Sequence, residues 1–205
     1  MKNSGSSPAA IVDYWIGPDN ANPAEFRARQ KLWYTSSKKT DAFIAANFGE
    51  TLQAAESGQL TSWAETNQGS LGLVILFDQF SRNLNRGTPD AYKNDNAAVE
   101  ITAALVGSGN HTSLNIPSRV LLYHPMHHAE NINKQDECVR LFEALLEHAS
   151  PEWHQQIVTN LRSVKSHRDL IQRFNRFPHR NRILNRKSTA EELEYLEKDA
   201  RKYGQ

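Results

Sequence analysis

Apolar residues recur along this chain at steps of three and four, and two-residue alternation bounded by turn dipeptides is nearly absent. The pattern therefore predicts an all-α fold. Asn22-Pro23-Ala24-Glu25 supplies a cap, a proline at the first helical position and a glutamate at the third, opening a helix through Trp33. A second helix is expected over 38–57, with Phe43, Ile44, Phe48, Leu52 and Ala55 on one buried stripe. Residues 70–84 are apolar on nearly all sides before Asp78, which predicts a central helix, with a buried strand over 73–77 as the competing reading. The pattern continues over 89–106 through Ala97, Ile101, Ala104 and Leu105, and residues 107–110 end it as a loop.

Pro117 opens a short helix reaching His124, where Pro125 must kink or restart the chain. Val139, Phe142, Leu145 and Leu146 share a face over 135–147. Pro151 begins the longest helix, whose seam of Trp153, Ile157, Leu161, Val164, Ile171 and Phe174 is interrupted by Arg168. Ser188 with Glu191 reads as a capping box for a last helix burying Leu193 and Leu196. The sum is about eight helices packed as antiparallel pairs in one domain over 8–200, preceded by a disordered N-terminus over 1–7.

Composition narrows the function classes. The 205 residues are 39% hydrophobic and 23% charged, ordinary for a globular protein. The longest apolar run, 71–77, is interrupted by Gly72 and is far short of a bilayer span, so no membrane partner is expected. The first seven residues lack the basic start and apolar run of a leader, and the expected location is the cytoplasm. The lone Cys138 allows neither an internal disulfide nor a cysteine metal cluster and reads as a packed core thiol. No dinucleotide fingerprint or phosphate-cradling glycine loop occurs, and no cofactor or metal is expected.

Charge changes the picture more. The chain carries a formal net charge of +1, yet residues 162–187 hold nine Lys/Arg against the single acid Asp169. Such polarity either neutralises itself inside the fold or presents a site for an anion. The basic segment contains Arg173-Phe174-Asn175-Arg176-Phe177-Pro178-His179-Arg180-Asn181, in which the phenylalanines can anchor a loop and Arg176, His179, Arg180 and Asn181 can converge. Asp78 and Arg82 lie four apart and can pair across one helical turn, with Arg86 one turn further. Residues 123–130 concentrate His124, His127, His128 and Glu130. Metal binding there would need His124 and His128 on one regular face, which Pro125 disturbs, so proton transfer by His128 is the chemical alternative to plain hydrogen bonding.

These blocks in order, together with Gln79-Phe80-Ser81, Arg86-Gly87-Thr88-Pro89, Arg186 and the acids Glu191 and Glu192, resemble the bacterial family called domain of unknown function 924 over about residues 12–196. The resemblance implies an all-helical fold similar to tetratricopeptide-repeat proteins and carries no activity; no 34-residue repeat is visible in the sequence itself. Where the family has glycine this chain has Asn175 and Asn185, side chains that tolerate a positive φ, so both turns should survive. Ala129 replaces the family's serine, which removes a hydroxyl nucleophile at that block.

Three functional expectations follow. The first is a binding protein holding a small anionic molecule, or a peptide carboxylate, through Arg82, Arg86, Arg176, His179, Arg180 and Asn181. The second is a hydrolase or transferase with His128 or His179 as proton carrier and Glu130 or Asp78 as orienting carboxylate. The third is a scaffold for a protein partner, in which the charges are structural and Trp33, Trp63 or Tyr92 is exposed. Nucleic acid is not the expected partner, because the acidic remainder of the chain opposes a polyanion.

Overall fold

The computed structural model describes residues 6–19, 21–35 and 37–198. Of the N-terminal segment expected to be disordered, residues 1–5 lie outside the described residues. The Ser6 amide donates to Thr51 Oγ1 at 2.9 Å, and the Ser7 hydroxyl caps the first helix.

Helices α1 (Pro8–Trp15), α2 (Pro23–Tyr34) and α3 (Lys38–Glu56) are followed by α4 (Asn67–Val74), which runs through a π-helical turn (Ile75–Phe80) into α5 (Ser81–Leu84). Next come α6 (Asp95–Gly107), α7 (Ile116–Leu122), α8 (His124–His128), α9 (Ile132–His148), α10 (Pro151–Phe174) and α11 (Ala190–Lys198). No strand forms among the described residues, so 73–77 is helical rather than the alternative strand. No helix among them is long and apolar enough to cross a membrane.

The segment from α4 to α5 is central, as its all-round apolarity predicts: α1, α3, α6 and α7 all pack on it. Gly72 makes one of these contacts possible, since a Cβ there would already lie 3.2 Å from Pro8 of α1. Around this axis Trp15, Phe26, Ile44, Leu76 and Phe80 are completely buried, with Trp15 edge-on to Phe80 at 5.2 Å. Helices α9 and α10 form the most extensive pair. A two-residue connection makes them antiparallel, and the cross-pairs Arg168–Asp136 (2.8 Å) and Lys165–Glu143 (2.7 Å) run in that register. Arg168, which breaks the apolar seam in sequence, therefore sits at the rim of this pair with Asp136.

Local chemistry explains the boundaries. Asn22 Oδ1 accepts from the amides of Ala24 and Glu25 while Glu25 accepts from the Asn22 amide, the reciprocal cap the sequence predicts. Asn175 and Asn185 adopt φ values of 57° and 53°, so the two turns bracketing the basic loop survive without glycine.

Four expectations are corrected. Phe43 is 45% exposed and stacks on Tyr14 at 4.7 Å, while Thr51 takes a buried place on α3. The helix expected over 89–106 divides into a 3-10 turn (Pro89–Tyr92) and α6. Its buried face is rotated by one residue to Ala98, Thr102 and Leu105, which the Thr102 hydroxyl permits by donating to the Leu122 carbonyl at 3.0 Å. The last capping box lies one residue later than read, between Thr189 and Glu192, and Leu193 is 52% exposed. Helix α11 is held instead through the buried Glu192, which accepts two hydrogen bonds from Arg176 and one from Asn181.

Candidate functional site

The π-helical turn places Asp78 at the centre of the site. A π turn widens the helix by one residue and re-aims its side chains, a device frequent at functional positions. Asp78 is completely buried and its carboxylate is fully engaged. His128 Nδ1 lies 2.8 Å from Oδ1, Arg82 Nη1 lies 3.0 Å from the same oxygen, and Gln79 donates to Oδ2. Arg82 also donates to the Asp78 carbonyl at 2.6 Å and to Asp95 Oδ2 at 3.0 Å. Burial works against this carboxylate, but Arg82 and His128 outweigh it and hold the Asp78 carboxyl well below its usual range.

Helix α8, with Pro125 in its first turn, delivers three imidazoles within one turn and a half. Ring centres of His124, His127 and His128 lie 5.3 to 5.9 Å apart, and His167 of α10 meets His127 edge-on at 4.0 Å. Burial, reinforced by Arg82, pushes His128 down to about 3 despite Asp78. Burial likewise lowers His124, and it lowers His127 well below the usual imidazole value, with neighbouring imidazoles adding to the effect. These rings are neutral at pH 7. The tautomer of each then follows from its partner. His124 Nδ1–H donates to the Val120 carbonyl and His128 Nδ1–H to Asp78, which leaves Nε2 of each as an acceptor, and His167 Nδ1 lies 3.0 Å from the Ser163 carbonyl. No group of three or more His, Cys, Asp or Glu side chains among the described residues is arranged to hold a metal ion.

The basic loop contributes Arg180 from its 3-10 turn (Pro178–Arg180). Its guanidinium lies between the rings of Tyr92 (4.7 Å) and the completely buried Phe177 (4.5 Å), and donates to the His128 carbonyl at 3.0 Å. Asp95 is 3.6 Å away on one side, and burial together with Arg82 lowers the Arg180 pKa. The loop's shape is fixed from beneath: Glu130 accepts from the Phe177 amide and from both ends of Arg186 at 2.6 and 2.9 Å.

These elements enclose a cavity of about 490 Å³. Three arginines (Arg82, Arg86, Arg180) and five of the chain's eight histidines (His124, His127, His128, His167, His179) line it, with Trp33, Tyr34 and Tyr92 as aromatic walls. No carboxylate is among the lining residues; Asp78, Asp95 and Asp41, the acids that pair with these arginines, stand behind them.

Residues 11–200 match the family described as a bacterial protein of unknown function, DUF924. The chain belongs to this family. It is also similar to a solved structure of a protein of unknown function, ATU0120 from Agrobacterium tumefaciens, at 33% identity over 94% of this chain and 97% of that one, with a TM-score of 0.77. Comparison with curated proteins finds no match.

Within this DUF924 chain the predicted residues separate into two groups. Arg82, Arg86, His179, Arg180 and His128 line the cavity, and Asp78 lies directly behind it. Arg176, Asn181 and Glu130 do not line it. Arg176 grips Glu192, Asn181 is buried between Ser188, Glu192 and Arg186, and Glu130 is paired with Arg186. Much of the basic segment is thus neutralised within the fold, and the acids of α11 supply two of the partners. Trp33, Trp63 and Tyr92, whose exposure would mark a protein-docking face, are each half-buried. Sequence reasoning missed His167, Tyr34, Asn83 and Asp95 as contributors. His167 carried a usable signal, a polar ring one step beside the seam residue Val164, whereas Asp95 looks like any first-turn acid.

Proposed function

We propose that this DUF924 protein binds a small molecule through an acidic group, a carboxylate or an oxyanion of similar charge, in the cavity walled by Arg82, Arg86, Arg180 and His179. The observation that carries the reading is the segregation of charge: guanidinium and imidazole groups face the cavity, and the acids that balance them face away. A guanidinium with an acid behind it is held in a fixed orientation, which lowers the entropy lost when an anion docks against it. The volume lies within the usual range for small-molecule sites.

Calorimetric titration with sulfate and acetate tests this. Both are expected to bind, and Arg86→Gln is expected to weaken them by about tenfold, the loss of one charge-assisted contact. Absence of binding by either anion at millimolar concentrations contradicts the reading.

A second reading, acid–base catalysis, rests on the Asp78–His128 pair. Asp78 accepts from His128 Nδ1 and so orients the ring with Nε2 as its basic position, and His128 lines the cavity. An anion docking beside this imidazole favours its charged form. Sulfate, whose own ionisation is constant between about pH 6 and pH 4.5, should therefore bind more tightly at the lower pH, where the charged form of an imidazole held down at about 3 comes within reach, and His128→Gln should flatten that dependence. An unaltered pH dependence in that variant removes His128 from the role.

A further inference from the structure

Beyond the histidines the cavity continues. A second hollow of about 230 Å³ shares His124, His127, Tyr34 and Ser163 with the first. Its other walls are Gln30, Thr159 and Asn160, with Phe142 and Val164 as the apolar floor. No charged side chain lines it, so the change from cationic to neutral walls falls at the imidazoles the two hollows share.

We propose that the two hollows form one elongated site, taking an acid whose head faces the arginines and whose neutral, amide-bearing tail fills the second hollow: an N-acylated amino acid or the C-terminal end of a short peptide. This inference rests on the acid-site reading above and deepens it. Two observations choose an amide tail over a plain hydrocarbon. Gln30, Asn160 and Ser163 line the second hollow, and amide or hydroxyl groups set against a hydrocarbon would lose hydrogen bonds that an amide, carrying a donor and an acceptor together, supplies. Asn160 is already oriented, because its Oδ1 accepts from Gln156 at 2.8 Å, which leaves its amide nitrogen as the donor for a ligand carbonyl. Phe142 and Val164 close the floor of this hollow beneath the tail. Tyr34 forms the outer edge of both hollows, 61% exposed, with its hydroxyl 3.4 Å from His124 Nε2.

Three probes titrated into the whole chain test the inference: acetate (head alone), N-acetylvalylvaline (head and tail) and N-acetylvalylvaline amide (tail alone). N-acetylvalylvaline is expected to bind about tenfold or more tighter than acetate and about tenfold tighter than its amide. Thr159→Trp, a substitution at an exposed position that fills the second hollow, is expected to shrink the advantage over acetate to less than about threefold. Melting temperature and helical circular dichroism confirm that this variant is folded; if it is not, the three probes on the unaltered protein decide alone. Equal affinity for acetate and N-acetylvalylvaline, or an undiminished advantage in folded Thr159→Trp, overturns the two-hollow site while leaving the acid site standing. Binding by neither acid, or equal affinity for acid and amide, overturns the acid-site reading and this inference with it.

Discussion

Asp78→Ala is expected to destabilise the protein by about 3–5 kcal/mol, the cost typical of removing one partner from a buried ionic cluster. The effect is large because three donors converge on one completely buried carboxylate. Deleting the carboxylate strands the His128 Nδ1–H and the Gln79 amide and removes one of the four contacts that Arg82 makes with Asp78 and Asp95. Arg82 keeps Asp95 and the Asp78 carbonyl, so the loss stops short of unfolding the helix that carries them. For a chain of this size the change corresponds to a fall in melting temperature of roughly 6–20 °C. Asp78→Asn, which keeps an acceptor for His128 but not the charge, should lose less. A fall of less than about 2 °C in the alanine variant, measured by calorimetry, contradicts the role given to this residue.

The second large effect is a loss of stability on acidification that begins near pH 6.5, above the range in which carboxylates titrate. His124, His127 and His128 are held neutral by burial, so their folded pKa values lie below the ordinary 6.5. The unfolded chain therefore takes up protons first as the pH falls, and the stability these rings contribute is complete above pH 6.5 and drains below it. For His128, whose pKa is pushed down to about 3, the loss reaches about 2 kcal/mol at pH 5, and His124 and His127 act in the same direction. Thermal melts at pH 8, 6.5 and 5 check this: little change across the first interval and a clear drop across the second. His128→Gln should reduce the slope of that drop by about 1.4 kcal/mol per pH unit. A melting temperature constant between pH 7 and 5 rules out buried neutral imidazoles.

The fold was legible wherever a face or a cap decided it. Proline starts, the Asn22 cap, the central apolar segment and the two asparagine turns all read correctly, because each depends on residues a few positions apart. What failed depended on partners distant in sequence. Thr102 replaces an apolar residue on the buried face of α6 because the Leu122 carbonyl is there to accept its hydroxyl, and Glu192 rather than a leucine docks α11 because Arg176 and Asn181 wait for it. The π turn at Ile75–Phe80 has no signal in the periodicity of so short a segment.

The candidate site was legible as a set of blocks, not as a partition among them. Arg82, Arg180 and His128 converge, but Arg176 looked equivalent to Arg180 in sequence and faces elsewhere. The difference lies in their anchors: Arg176 meets an acid from α11, while Arg180 is held between Tyr92 and Phe177. The orienting carboxylate for His128 was ambiguous between Glu130, two residues away, and Asp78, fifty residues away. On α8 and the turn that follows it, Glu130 points to Arg186, and the distant residue is the partner.

The most direct test of the acid-binding cavity is proton NMR of the histidine ring resonances during titration with sulfate at pH 7. The account predicts that the rings of His128, His179 and their neighbours His124, His127 and His167 shift together along one binding curve. His111, His148 and His154, which do not line the cavity, should stay in place. Uniform small shifts of all eight, or no shift in any of the five, would contradict it.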